Sequence, residues 1–192
     1  MSAAKFAGLG NLPETIGPMA AEYAAYWLSL PMIDGVPMKR ALDPGAMRNF
    51  VASFVMVERH DPRRFTWRLA GSAIREISGI ELTGTDALAV RDDEQREKGI
   101  AAYNAMLDTP CGAWGIIILL SAAGNQMPTE AMVFPLRADD GSIRFLANSV
   151  EPRTPRLEPG VIEPVEMKLL SWAEHRFIDI GFGLPKLPRR PR

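Results

Sequence analysis

The run from Phe50 to Val150 constrains this chain most, because its periodicity sets an order of elements: two strands, a helical stretch, then a three-strand meander. Phe54-Val55-Met56-Val57 is a short apolar run, and Phe65-Thr66-Trp67-Arg68-Leu69-Ala70 alternates with Phe65, Trp67 and Leu69 on one side. His60-Asp61-Pro62-Arg63 between them reads as a turn, so the pair is expected to be a hairpin with one buried face. Trp114 to Leu120 is too β-branched to prefer a helix and too short to cross a bilayer; it reads as a central strand. Ala123-Gly124-Asn125 turns it into Thr129 to Leu136, and Asp139-Asp140-Gly141-Ser142 turns that run into Ile143 to Ala147. Pro135 removes a ladder donor, which predicts a bulge or gap at that point. Strands grouped on either side of one helical stretch make an α+β domain with an antiparallel sheet.

The helical stretch divides in two. Ser72 is placed to cap a short helix over Ala73 to Ser78, with Gly79 suited to the left-handed residue that ends it. A longer helix starts near Asp92, where Asp92, Asp93 and Glu94 place negative charge at the positive end of the dipole. Ile100, Tyr103, Met106 and Leu107 form its apolar face, Thr109-Pro110 closes it, and Gly99 marks a bend or a close packing contact. Ahead of the strands, Pro18 opens an amphipathic helix whose aromatic stripe is Tyr23, Tyr26, Trp27 and Leu30, ended by Pro31. That stripe needs an apolar partner. It is either the open face of the sheet or the same helix of a second copy, and a homodimer is expected, with these four residues as its candidate interface.

Residues 32–40 read as a loop, and Asp43-Pro44 starts a short helical turn through Met47. Beyond Val150 the chain is rich in proline and charge up to Pro164; Val165 to Leu169 and Arg176 to Ile180 both alternate, and either could be a strand. The organisation is therefore an N-terminal segment 1–17, a domain 18–152 with its flanking helix, and an extension 153–192 with a basic, proline-rich tail that is expected to be solvated.

The chemistry that residue types allow is narrow. A net charge of -1 with a pI near 6.2 provides no field for holding phosphates, so neither nucleic acid nor an anionic membrane is an expected partner. The one cysteine, Cys111, excludes an internal disulfide and fits a reducing cytoplasm, and with no base near it in sequence it reads as a structural thiol. The N-terminus has no long apolar run, which leads to the expectation of an unprocessed, soluble, cytoplasmic protein. The two histidines, His60 and His175, form no ligand pair, so no metal is implied. Gly79 to Thr85 has the ends of a phosphate loop but lacks its lysine and reads as a turn. Asp92-Asp93 and Asp139-Asp140 are explained by a helix start and a turn. No catalytic residues are assigned, and the chain is expected not to be an enzyme.

Tyr26-Trp27, Asp43-Pro44, Phe65-x-Trp67-Arg68-Leu69-Ala70-Gly71, Glu81-Leu82-Thr83-Gly84 and Met132-x-Phe134-Pro135-Leu136 followed by Asp139-Asp140-Gly141-Ser142, taken in this order and spacing, resemble the PAS-like family of small proteins found mainly in alphaproteobacteria. The resemblance spans about Ala20 to Pro152 and implies a five-stranded antiparallel sheet with helices packed on one face and a cavity between them. It carries no catalytic residues across. Haem-binding relatives of the fold present an axial histidine from the long helix, and Asp92 to Asp108 has none; flavin photosensors place a reactive cysteine on the preceding helix, and Ser72 to Thr85 has none. Haem and flavin are therefore disfavoured and no cofactor is expected. A small apolar metabolite is the expected ligand, if any. Trp67, Leu69, Tyr103, Trp114, Ile116, Ile118, Met132 and Phe134 are candidates to line a cavity, with Arg75 as polar anchor, although core packing is the favoured role at each. The resemblance implies a sensory or adaptor module acting through protein contacts; an enzyme or carrier using the same cavity, or a purely structural dimerisation module, are the alternatives.

Overall fold

A computed structural model of the chain describes residues 6–79, 81–89, 91–120, 126–153 and 168–186. Helix α1 (Pro18–Ser29) is followed by a two-residue hairpin, β1 (Met32–Ile33) and β2 (Val36–Pro37). The main sheet then takes β3 (Phe54–Asp61) and β4 (Arg64–Ala70), helices α2 (Ser72–Ser78) and α3 (Asp93–Asp108), and strands β5 (Cys111–Leu120), β6 (Gln126–Arg137), β7 (Ile143–Pro152) and β8 (Lys168–Asp179). The strand order is β4-β3-β7-β6-β5-β8, antiparallel throughout.

The sheet thus has six strands rather than five. Lys168-Leu169 and Arg176 to Asp179, taken from the two alternating runs of the extension, belong to one strand, β8, which pairs along the whole of β5; residues 165–167 lie outside the described residues. An apolar strand such as β5 left at an edge would be a template for aggregation, and β8 removes that edge. Gly10 closes the far side of β8 by exchanging backbone hydrogen bonds with Asp179 at 2.8 and 2.9 Å. At the other end of the sheet, residues 84–87 run along β4: Trp67 N–H donates to Thr85 O, and Gly84 N–H to Trp67 O.

Helices α2 and α3 pack on one face, as expected, and the N-terminal helix α1 takes the open face. Because side chains alternate along a strand, the even positions of β5 and β6 face α1 and the odd positions face α3. Trp114, Ile116, Met132, Phe134 and Leu136 join Tyr23, Trp27, Phe50 and Phe54 in one core. Cys111, Ala113 and Val133 join Leu88, Ile100, Met106 and Leu107 in another. Trp67 links that second core to a small cluster of Val55, Ile74 and Leu82 under α2.

Local differences from the periodic reading have local causes. Residues 32–40 are not simply a loop: Asp34 (φ 45°) and Gly35 (φ 75°) both take the left-handed region, the geometry of a two-residue hairpin turn. On β4 the pairing skips Arg68, with Met56 opposite Leu69 and Val57 opposite Trp67. This bulge turns Leu69 away from the side shared by Phe65 and Trp67 and leaves it 39% exposed. Pro135 sits in regular register opposite Leu146, and the irregularity falls one residue later, after Leu136. Helix α2 begins at Ser72 itself with Gly71 as its cap residue and no side-chain cap, because Gly71 lies against the carbonyls of Val51 and Ala52, where a Cβ would stand 2.5 and 2.3 Å away. Gly79 ends it in the left-handed region (φ 69°), and Gly99 is a close contact, with Leu88 Cδ2 2.9 Å from where a Cβ would be.

Candidate functional site

The α1 side of the sheet is closed by directed contacts. Trp27 stacks on Phe134 with ring centroids 4.7 Å apart, and Tyr23 packs on Phe50, Phe54 and Phe134. Their polar ends are satisfied: Tyr23 Oη donates to Ala147 O at 2.8 Å and Trp27 Nε1 to Pro135 O at 3.2 Å. Burial pushes the Tyr23 phenol well above its ordinary value, with Tyr26 adding to the shift. Tyr26 is raised less; burial leads, and the Asp43 N–H donating to its hydroxyl at 2.8 Å opposes. Of the two partners considered for the aromatic stripe, the helix takes the sheet: Tyr23, Trp27 and Leu30 are buried within the chain and Tyr26 is half-buried.

One charged residue lies in that core. Glu130, 2% exposed, shares the inward parity of Met132 and Phe134 on β6. It accepts from Trp114 Nε1 at 2.5 Å, from the Gly17 N–H at the start of α1 at 3.0 and 3.1 Å, and from Arg153 at 3.1 Å. Apolar periodicity misses it, although an acid at an alternating apolar position is itself the signal for a buried partner. Its bonds are complete, which makes it a structural latch between α1, β5 and the end of β7.

The α2–α3 side is different. Three buried polar atoms there have no hydrogen-bond partner among the described residues: Trp67 Nε1, Arg91 Nε and Gln95 Oε1. The elements that carry them meet. Gln95, Gly99 and Tyr103 form a row at fourfold spacing on α3, and Arg91, in the loop before it, has its guanidinium carbon 3.2 Å from where a Gly99 Cβ would be and 5.7 Å from the Tyr103 ring centre. Tyr103 packs edge-on against Phe65 at 5.3 Å, and Trp67 lies two residues along β4 on the same side.

The cavity candidates are therefore split by the sheet. Trp114, Ile116, Met132 and Phe134 are core residues under α1, with Ile118 half-buried against them. Trp67 and Tyr103 are half-buried on the α3 side. Leu69 and Arg75 are exposed, and the cation beside Tyr103 is Arg91. Cys111 is fully buried, and burial, with the charge of Asp179, pushes its thiol up to about 12, which leaves it inert as a nucleophile at neutral pH.

An open groove of about 540 Å³ lies where the β3–β4 and β6–β7 turns meet the end of α3. Its arginines are engaged: Arg59 with Asp108 at 2.6 Å and Asn104 at 3.1 Å, Arg144 with Asp140 and with Glu58 at 3.2 Å. Among the described residues no group of three or more metal-ligating side chains occurs, and no helix is long and apolar enough to cross a membrane.

The family described as PAS domain matches the chain over residues 17–148, more than half its length, from the start of α1 into β7. Strand β8 lies beyond the matched residues. No curated protein matches the chain.

Proposed function

This chain belongs to the PAS domain family, whose members are sensory and signalling modules and typically not enzymes, and from that premise we propose that it is a sensory or adaptor module acting through protein contacts and gated by a small ligand under α2 and α3. The observation that carries the reading is the contrast between the two faces. Under α1 the buried polar groups of Tyr23, Trp27, Trp114 and Glu130 are all partnered. Under α3, Trp67 Nε1, Arg91 Nε and Gln95 Oε1 are buried without partners among the described residues. Buried polar atoms left unpaired cost free energy, and each calls for an explanation, of which a second molecule that completes the bonding is one. A ligand that bonds these atoms would favour one arrangement of α3 and of residues 81–89 against the sheet, and a partner protein would read that difference.

Native mass spectrometry of the freshly purified full chain tests this. A retained small molecule, released by Trp67→Phe or by a change at Arg91, supports the reading. Bare protein that also shows no thermal shift across a metabolite library contradicts it. A retained molecule that the protein converts to product would point instead to an enzyme.

A further inference from the structure

We infer that the β1–β2 hairpin and the turn after β8 form a docking surface for a partner protein, and that the partner presents an acidic segment carrying apolar anchors. This rests on the reading that the chain acts through protein contacts, and is independent of a ligand under α2 and α3. Of the five large apolar side chains exposed among the described residues, four lie here: Met32 and Ile33 on β1, and Phe182 and Leu184 after β8, each 38–47% exposed. An exposed apolar residue on its own is ordinary, but a group of them on touching segments marks an interaction surface. The segments do touch: the Phe182 ring has atoms 2.9 and 3.0 Å from where a Gly35 Cβ would be, at the turn between β1 and β2.

Both segments are held in place. Arg137 on β6 pins the hairpin, with Nε donating to Ile33 O at 2.9 Å and Nη2 to Asp34 O at 3.4 Å, while Nη1 donates to Gly141 O at 2.9 Å. Asp179 Oδ1 accepts from the Gly181 and Gly183 N–H groups at 2.8 and 2.9 Å, which fixes the turn that carries Phe182. Apolar side chains presented on a fixed backbone lose little freedom when a partner covers them.

The charge around the surface defines the partner. No carboxylate pairs with Arg137 among the described residues, Lys186 is exposed two residues beyond Leu184, and the sequence continues with Arg189, Arg190 and Arg192. Asp139 and Asp140, in the turn that Arg137 also reaches, are paired with Arg40 and Arg144. Carboxylates on the partner complement this excess of cations. A second copy would set the same cations against each other across a two-fold interface, and a bilayer would have to take in the exposed Asp34 carboxylate at the hairpin tip with Ile33.

Selection of a library of random displayed peptides against the immobilised full chain tests this, with the enriched peptides then titrated by fluorescence anisotropy. They are expected to combine Asp or Glu with Leu or Phe. Ile33→Ser and Phe182→Ser should each weaken them about tenfold or more while leaving the melting temperature close to that of the parent, and Lys186→Glu about threefold, an effect that high salt removes. Should Phe182→Ser disturb the fold, Ile33→Ser carries the test alone. Enriched peptides without acidic residues, or no enriched peptide, overturn the inference. Binding that ignores both serine variants also overturns this surface but leaves the protein-contact reading standing. A dimer in light scattering that Ile33→Ser splits overturns it in favour of a second copy, and co-sedimentation with phosphatidylserine vesicles that Ile33→Ser abolishes overturns it in favour of a membrane.

Discussion

Replacing Glu130 by alanine is the sharpest test of how the α1 side is held. The substitution leaves the Trp114 indole N–H, 2% exposed, and the half-buried Gly17 N–H without their acceptor. An orphaned buried donor costs about 1–3 kcal/mol, and Gly17, being partly exposed, belongs at the low end. Arg153 is 45% exposed and rehydrates, so it adds little. The total is about 3 kcal/mol, which for a chain of this size lowers the melting temperature by about 6–12 °C. Thermal unfolding followed by circular dichroism measures it. Trp114→Phe closes a double-mutant cycle: the two changes should be less than additive by about 1 kcal/mol, because the phenylalanine no longer needs the acceptor. Glu130→Gln should fall between, since its amide keeps one acceptor for Trp114 but turns a donor toward Gly17 or Arg153. A Glu130→Ala protein that melts within about 1 °C of the parent, or a strictly additive cycle, would refute the latch.

Gly17→Ala would place a Cβ 2.1 Å from Glu130 Oε2 and should cost about 1–3 kcal/mol by the same thermal assay. Cys111 should resist alkylation in the native protein at mildly alkaline pH and react once denaturant exposes it; rapid native labelling would contradict its burial. The unfolded thiol ionises first as pH rises through its ordinary value, while the folded thiol holds its proton up to about 12, so this group lowers stability as pH rises past about 9. Cys111→Ala should flatten that alkaline fall. The Ser142 hydroxyl and N–H, with Arg144, hold the Asp140 carboxyl down at about 2. Its contribution is present at neutral pH and lost as pH falls from the ordinary carboxylate range toward that value, so the melting difference between parent and Asp140→Asn should narrow in acid.

Elements with strong periodicity are legible in the amino-acid sequence: α1, the β3–β4 hairpin, α3, and the meander of β5, β6 and β7. The rest depends on signals that periodicity does not carry. Asp34-Gly35 is a hairpin signal, but two-residue strands give no alternation to support it. The bulge at Arg68 exposes Leu69 even though the sequence alternates cleanly through it. Strand β8 hides as two short runs because its pairing with β5 shifts register between them. Of the candidate site, the sequence places Trp67 and Tyr103 together, and they do share one side of the sheet, but the cation beside Tyr103 is Arg91, and Gln95 also carries a buried atom without a partner among the described residues. These lie in a loop and in the first turn of α3, outside any apolar stripe. Trp114 and Ile118 do share a face of β5, as their even spacing predicts, but that face belongs to α1.

The central claim is that the α2–α3 side, and not the α1 side, receives a ligand. Proton–nitrogen correlation spectra of the tryptophan indoles test it directly, using Trp27→Phe, Trp67→Phe and Trp114→Phe for assignment. On adding the small-molecule filtrate of the expressing cells, the Trp67 indole signal should shift while Trp27 and Trp114, bonded to Pro135 and Glu130, stay in place. Movement of Trp27 or Trp114 with Trp67 unmoved would place the site on the wrong face and contradict the account.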